Sequence, residues 1–411
     1  MPPQSETHRR SQGESGGDLC SLSPDLLAEI HGRLCLAGRL SFAGVFRTSC
    51  AAFRPEAPCL VLPGETPDAE TATLFSLADP RAAGARARGP ALRDLAFLGS
   101  SPGGWLVTAD DRGQMRLLNL VTGEQAALPP ISTLGLFLPS NHYHHFSLLM
   151  APFRDIRFGG PPYDHQGWGP SLPGTHTTCA EDMRSWFYRK VVLSASARPG
   201  NYAAMLILTP QYGAPAFATA ENPAWRLAPS RDGVEDAIHH GGRFYSVTYS
   251  GAVESWEQDA AAGSFTSTVV APRLPIESNN SSHRSKSNRS RKYLIAAPDG
   301  RLMVVLKDYE QAEGCKGTWS IKLQVLDGEA GGRWKEVNDI GDTALFVGVN
   351  NSLCVSTREH PELKAGCVYF TEDHPPGLAY NNADYKELGA AVYSLKDNTV
   401  EKIQGLGQAR S

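Results

Sequence analysis

The hydrophobic positions near the start of the chain recur at helical spacing. Ser23 can cap a helix whose first residue is Pro24, where a missing N–H costs nothing. The apolar residues that follow at helical intervals, and that we expect to form one face, are Leu26, Leu27, Ile30 and Leu34. A second helical segment precedes Pro55 and Pro58, which end it. Residues 21–58 are therefore predicted to form two or three short helices, too small a unit to be stable unless it packs on something.

From about residue 60 the pattern changes to short apolar runs separated by Gly, Asp, Asn and Pro, which is typical of strands and tight turns. One loose unit recurs: a strand, a polar turn and a short second strand. Its turns centre near Thr122, Asn222, Ala260, Glu329 and Asp397. Most copies follow another hairpin, so the repeat has about four strands, the size of a propeller blade. The gap between the first two turns leaves room for an extra blade, so we predict about six blades, with seven as the alternative count. A pair of β-sandwiches is the alternative.

Two segments interrupt the strand pattern. Residues 141–183 are rich in Gly, Pro and His and are predicted to be a long loop insertion. Residues 277–293 combine many serines with Arg and Lys and have too few apolar groups to fold, which predicts a solvated insertion. A nuclear-import or phosphorylation segment is the more specific interpretation of the second.

Composition narrows the functional classes. Charged residues are 20% of the 411 and the net charge is −4, which gives no global reason to expect a nucleic-acid or membrane partner. No apolar run approaches the ~20 residues of a membrane helix. Residues 1–20 are polar and are expected to be disordered without a signal sequence, so we expect a cytoplasmic or nuclear protein. The eight cysteines form no CxxC pair, which disfavours a zinc site.

The motifs that could carry chemistry have simpler interpretations. Gly99–Gly103, GSSPG, has the spelling of a nucleophile elbow, but a strand follows it instead of a helix, so a hairpin turn is predicted. The nearby histidines His142, His144 and His145 lack a recognised ligand spacing. We therefore predict no catalytic residue, no metal site and no cofactor. An enzymatic propeller would need polar residues that converge on its central channel.

The helical stretch resembles an F-box. Leu22-Ser23-Pro24-Asp25-Leu26-Leu27 fits the opening motif Leu-Pro-x-Asp-Leu-Leu with serine in place of the proline, and Ile30, Arg33 and Leu34 fit in register. Residues 45–49 occupy the final motif, where Phe46 replaces the usual Cys and Ser49 the usual Trp. The remainder, over most of residues 60–405, resembles the plant F-box proteins with a KIB-type β-propeller. The pieces that carry this resemblance are LFSLAD, LGSSPGGWLVTADDRGQMRLLNLVTGEQAALPPI, DAIHHGGRFYSVTYSGAVESWE and DIGDTALFVGVNNSLCVSTREHPELKAGCVYFTED.

The resemblance implies a mainly β chain with a single propeller of about six blades at residues 59–405 and a helical F-box-like module at residues 21–58. It implies an adaptor of an SCF-type ubiquitin ligase, in which the propeller binds a protein target and the module binds a Skp-type adaptor and, through it, a cullin. The expected adaptor-binding residues are Leu22, Pro24, Leu26, Leu27, Ile30, Leu34, Val45 and Phe46. Because Ser49 removes a large apolar contact, we expect this binding to be weak. The alternative is a non-catalytic interaction protein whose degenerate F-box is not coupled to a ligase.

Overall fold

The computed structural model describes a large part of the chain. The described residues are 22–46, 52–54, 56–62, 71–77, 85–88, 95–101, 103–138, 145–149, 175–179, 187–195, 197–208, 213–230, 232–259, 261–275, 291–310, 318–328, 332–371 and 390–403. The predicted disorder of residues 1–20 and the motif position Ser49 lie outside these ranges. The chain divides into two compact units, residues 1–58 and 59–411, called here the helical unit and the β unit. In the described part, none of the helices has the length and apolar character needed to cross a membrane.

Among the described residues of the helical unit, two α-helices are present, α1 (Pro24–Arg33) and α2 (Leu36–Val45). Ser23 precedes α1 in an extended conformation, and its side-chain oxygen accepts a hydrogen bond from the Leu26 N–H at 3.4 Å. This cap satisfies one of the N–H groups that a helix start leaves without a partner, so the predicted cap is confirmed.

The β unit is built from short strands. They are β1 (Cys59–Leu62), β2 (Thr71–Ser76), β3 (Ala85–Arg88), β4 (Ala96–Ser101), β5 (Trp105–Ala109), β6 (Met115–Asn119), β7 (Gln125–Ala127), β8 (Phe137–Leu138), β9 (His145–Leu149), β10 (Thr175–Cys179), β11 (Tyr188–Leu193), β12 (Ala203–Leu208), β13 (Ala216–Thr219), β14 (Arg226–Leu227), β15 (Val234–His240), β16 (Arg243–Thr248), β17 (Val253–Gln258), β18 (Phe265–Ala271), β19 (Arg291–Ala296), β20 (Leu302–Glu310), β21 (Thr318–Asp327), β22 (Arg333–Val337), β23 (Thr343–Val347), β24 (Leu353–Ser356), β25 (Cys367–Thr371), β26 (Ala390–Ser394) and β27 (Thr399–Lys402).

In the part of the β unit that the structure describes, five sheets have the four or five strands of a propeller blade. Their strand orders are β4-β5-β6-β7, β11-β12-β13-β14, β15-β16-β17-β18, β19-β20-β21-β22 and β24-β23-β25-β26-β27. The described residues also form two three-stranded sheets, β1-β2-β3 and β10-β9-β8. The mainly β propeller fold is thus confirmed, and the predicted count of about six blades is corrected to five sheets of full blade size.

The five repeated turns that the sequence predicts all close a blade-sized sheet. They connect β6 to β7, β13 to β14, β17 to β18, β21 to β22 and β26 to β27. In the four-stranded sheets the turn joins the third strand to the outer strand, and in the five-stranded sheet it joins the fourth strand, β26, to the outer strand β27. The turn centres Ala260 and Glu329 themselves lie outside the described residues. The strand–turn–strand repeat is therefore the outer hairpin of each blade, and that prediction is confirmed.

The two predicted insertions need correction. Residues 141–183 contain β9 and β10, which pair antiparallel from Thr175 opposite Leu149 to Cys179 opposite His145. Residues 277–293 include the start of β19 at Arg291, so Lys292 and Tyr293 are strand residues and both are buried. In both segments, pairing with a neighbouring strand outweighs the local polar composition. The rest of these two segments lies outside the described residues.

The last blade departs from the simple antiparallel pattern. Strands β23 and β25 pair in parallel, because the intervening strand β24 folds back onto the other edge of β23. This places β24 at one edge of the five-stranded sheet, where it lies against β19 of the preceding blade.

The core of the β unit lies within and between the sheets. Leu77, directly after β2, packs with Ala344, Tyr369 and Val392 of the last blade, so the first sheet meets the last sheet as closure of a propeller requires. At another seam Gly99 of β4 brings its backbone against β11, where a Cβ atom would lie 2.0 Å from the Val191 carbonyl oxygen. Such a close approach requires glycine.

Candidate functional site

The helical unit has a small apolar core of its own. Leu27, Phe46 and Phe53 are buried together, and Leu22, Ala28, Phe42 and Ala43 pack partly buried against them. Leu36 and Ala57 are buried outside this cluster, so the described part of the unit buries five apolar side chains, which is few even for a small folded unit. Polar contacts must therefore contribute to holding the two helices in place.

Those polar contacts converge on Glu56. The Arg39 guanidinium donates to both Glu56 carboxylate oxygens, at 2.6 and 2.9 Å, and its third contact is to the Leu34 carbonyl oxygen at 2.9 Å. His31 is buried and stacks on Phe53 with ring centroids 4.5 Å apart. Burial lowers the pKa of His31 below its ordinary value, and the nearby Glu56 carboxylate opposes that shift. The bidentate Arg39–Glu56 pair thus ties α2 to the segment that follows it.

The structure divides the eight predicted adaptor-binding residues into three groups. Leu27 and Phe46 are buried, Leu22, Ile30 and Leu34 are half-buried, and Pro24, Leu26 and Val45 are exposed. Leu26, Ile30 and Leu27 fall in that order within an arc of about 100° around α1, which is the width of one helix face. The face predicted for the first helix is therefore only partly buried: Leu27 at one edge faces the core, and Leu26 at the other edge is exposed.

Two of these residues stand out by their exposure. Leu26 is 53% exposed and Val45 is 73% exposed. Burial of a large apolar side chain stabilises a folded unit, and this unit has only a small core. Leaving Leu26 and Val45 in solvent therefore lowers the stability that the unit could reach. An exposed apolar side chain in such a unit is available to a partner protein.

Sequence reasoning missed a group of buried charges in the β unit. They lie on β11, β15 and β19, the first strands of three successive blades. The Lys190 ammonium donates to Asp236 Oδ1 at 2.7 Å, and the Lys292 ammonium donates to Glu235 Oε2 at 2.8 Å. Arg189 Nη2 also contacts Glu235, at 3.4 Å. These side chains line a small polar pocket.

The geometry of this cluster is that of a structural network. Asp236 also accepts hydrogen bonds from the Leu294 N–H at 2.8 Å and from Ser352 at 3.4 Å, and Lys190 and Asp236 are 2% and 4% exposed. Burial raises the pKa of Asp236, while the Lys190 ammonium and the Leu294 N–H act in the opposite direction. Charges buried this deeply are tolerated only when they are paired and hydrogen-bonded. The cluster therefore connects three blades through their first strands.

The structure also locates the other residues that the sequence offers for catalysis or metal binding. Ser101 ends β4 and pairs with Trp105 of β5, so GSSPG is a strand-to-strand hairpin and that prediction is confirmed. His142 and His144 lie outside the described residues, and His145 begins β9. Within the ranges that the structure describes, no group of three or more His, Cys, Asp or Glu side chains is arranged to hold a metal ion.

Comparison with known proteins assigns the β unit to a protein family. The model of the KIB1-4 beta-propeller family matches residues 74–394, more than half of the chain. An F-box/kelch-repeat protein of Arabidopsis thaliana is 30% identical over 138 residues, which are 32% of this chain and 32% of that relative. The match thus spans about a third of the relative's length.

Solved structures are similar only at a low level. The Cps50 (Swd1) beta-propeller domain of Myceliophteria thermophila has a TM-score of 0.32 at 12% identity, over 83% of this chain and 92% of that one. BamB of Moraxella catarrhalis has a TM-score of 0.27 at 12% identity, over 71% and 81%. Scores this low carry no information on function. The family match is decisive: with its blade-sized sheets and their repeated outer hairpins, this chain belongs to the KIB1-4 beta-propeller family.

Proposed function

We propose that the protein is the substrate-recognition adaptor of an SCF-type ubiquitin ligase. In this proposal the β unit binds a protein target and the helical unit binds a Skp-type adaptor, which connects it to a cullin. The propeller family and the F-box/kelch relative support the coarser statement that the protein acts through protein interactions. The proposal assigns no catalytic step to the chain and places it in the cytoplasm or nucleus.

The exposure of Leu26 and Val45 is the observation that carries the ligase proposal. Both residues belong to the predicted F-box-like surface, and both leave a large apolar side chain in solvent. Docking an apolar helix face into a groove of a partner is a common mode of recognition. Burial of one such side chain stabilises a complex by roughly 1.5–3 kcal/mol.

The test is binding of a purified Skp-type adaptor to the full chain by isothermal titration calorimetry. Replacing Leu26 and Val45 together by glutamate should weaken the complex at least ~100-fold, because two apolar contacts are lost and charges are buried. The matched control is Val269→Glu, which changes a residue of the β unit that is 51% exposed and should leave binding unchanged. Equal affinities of the double variant and the wild type would refute this docking surface.

The alternative function is an interaction protein that has lost ligase coupling. Ser23 and Ser49 occupy motif positions where an F-box usually has proline and tryptophan, which favours this candidate. The Ser49→Trp variant separates the two functions, because restoring a large apolar contact should tighten a weak complex by about tenfold or more. If neither the wild type nor Ser49→Trp binds the adaptor, the ligase proposal fails.

A further inference from the structure

The outer strand of the third blade-sized sheet differs from the other outer strands. Strand β18 has seven residues, FTSTVVA, without any charge. The corresponding strands β7 and β14 have three and two residues, while β22 (RWKEV) and β27 (TVEK) carry charged side chains. Natural sheets protect their edges by shortness or charge, since an open edge pairs with other chains. Strand β18 has neither protection, and its one register shift against β17 falls after Val269, near the end of the strand.

The free edge of β18 presents backbone groups at known positions. The Asp259 N–H bonds the Ser264 carbonyl at 2.8 Å, which sets the alternation of hydrogen-bonded pairs along β17 and β18. Thr266 and Thr268 therefore bond to β17, and Ser267 and Val269 direct their N–H and C=O groups away from it. Among the described residues, β18 pairs with β17 alone. Thr266, Thr268 and Val269 are also exposed through their side chains.

Both ends of β18 are anchored to neighbouring blades. At the start, Phe265 stacks on Phe217 of the preceding blade with centroids 4.1 Å apart and planes 7° apart. At the end, the Trp334 indole N–H of the following blade donates to the Pro272 carbonyl at 2.7 Å. A strand held at both ends keeps its edge extended. Little free energy is therefore spent on ordering β18 when a strand of another protein pairs with it.

We infer that the outer edge of β18 binds an extended, uncharged segment of a partner protein by strand addition. Main-chain hydrogen bonds would supply affinity, and the exposed Thr and Val side chains would select β-branched or hydroxyl-bearing neighbours. The inference rests on the proposed function only in taking the occupant to be a protein target.

The size of the edge distinguishes a target segment from a second copy of the chain. Seven residues at about 3.4 Å each span roughly 24 Å, and a strand about 10 Å wide covers roughly 240 Å² of each partner. A stable dimer needs about 800 Å² per partner. The edge alone is therefore too small for a permanent dimer and suits transient capture of a short segment.

The experiment uses the full chain and a fluorescein-labelled peptide of seven alternating threonine and valine residues with a lysine at each end. Fluorescence anisotropy should show binding, and hydrogen exchange should show new protection of the Ser267 and Val269 amides. Val269→Lys should weaken binding at least about tenfold, since charge on an edge opposes pairing. Ser267→Pro, which removes an outward N–H without loss of a bond to β17, should weaken it about five- to tenfold.

The matched control is Val121→Lys, which places the same charge at a 43% exposed position in the turn between β6 and β7 and should change nothing. Peptide binding that is absent, or that both edge variants leave unchanged, overturns the inference. Self-association in sedimentation that Val269→Lys abolishes also overturns it, because the occupant would then be a second copy. Titration of the Skp-type adaptor in the same preparations keeps the two proposals separate, because Val269→Lys should not affect it.

Discussion

The helical unit and the β unit differ in the size of their apolar cores and in the charges that those cores hold. The helical unit buries Leu27, Phe46 and Phe53 around a histidine and leaves Leu26 and Val45 in solvent. The β unit buries several extended apolar clusters and also keeps Lys190 and Asp236 inside, as an ion pair. The helical unit exposes two of its few large apolar side chains, and the β unit has a core large enough to hold a buried ion pair.

This difference indicates where each unit is sensitive to substitution. A large, close-packed core responds strongly to a change of volume or charge at its seams. A small core held by one bidentate ion pair responds to single polar contacts and to pH.

The largest effect is expected from Lys190→Met. Removing the ammonium leaves Asp236 buried without its ion-pair partner, which should lower the free energy of unfolding of the β unit by about 3–5 kcal/mol. Urea unfolding measures this change. The double variant Lys190→Met/Asp236→Leu should recover most of the loss, because both charges are then gone. Arg243→Met, which breaks an exposed pair with Glu257, should cost at most about 1 kcal/mol. A Lys190→Met chain as stable as wild type would contradict the network.

A smaller effect is expected from Gly99→Ala. The added Cβ would lie 2.0 Å from the Val191 carbonyl oxygen, and backbone on both sides must shift, so a loss of about 1–3 kcal/mol is expected from thermal unfolding. The comparison is Gly32→Ala in α1, where no atom lies within 4 Å of the new Cβ. Amide exchange in α1 should then slow, because alanine stabilises a helix by roughly 0.5–1 kcal/mol over glycine. Opposite signs in the two units are the expected outcome, and equal signs would refute this comparison.

The smallest effect is a pH dependence of the helical unit. Burial holds the pKa of His31 below its ordinary 6.5, so the unfolded chain takes up the proton at a higher pH than the folded unit does. The contribution of this pKa difference to the free energy of unfolding is fully present above pH 6.5. It decreases as the pH drops from 6.5 towards the pKa of His31 in the folded unit. Amide exchange of α1 at pH 7.5 and 5.5, corrected for intrinsic exchange, should show the loss, and His31→Phe should reduce it. A wild type without any loss would show that His31 protonates freely in the folded state.

Local sequence patterns were sufficient for elements whose partners are close in the chain. The Ser23 cap and the outer hairpins near Thr122 and Asn222 depend on residues within one turn or one hairpin, and the structure has them where the sequence predicts them. The Gly99–Gly103 hairpin belongs to the same class.

Elements whose partners are distant in the chain could not be predicted in this way. Lys190 lies 46 residues from Asp236, and Lys292 lies 57 residues from Glu235. In the sequence Lys292 continues a basic, serine-rich run, so composition alone indicated a solvated loop. The contact that buries it exists only after β15 and β19 are brought side by side. The eight predicted docking residues show the same limit, because helical spacing did not separate Leu26 from Leu27.

The central claim is that the two units have separate tasks, and deletion of residues 1–58 tests it most directly. The two units are compact by themselves. The truncated chain, residues 59–411, should therefore unfold cooperatively in a thermal melt, keep the circular dichroism of a β protein and bind no Skp-type adaptor, while the full chain binds it. A truncated chain that aggregates or melts without a cooperative transition, or one that still binds the adaptor, would contradict the account.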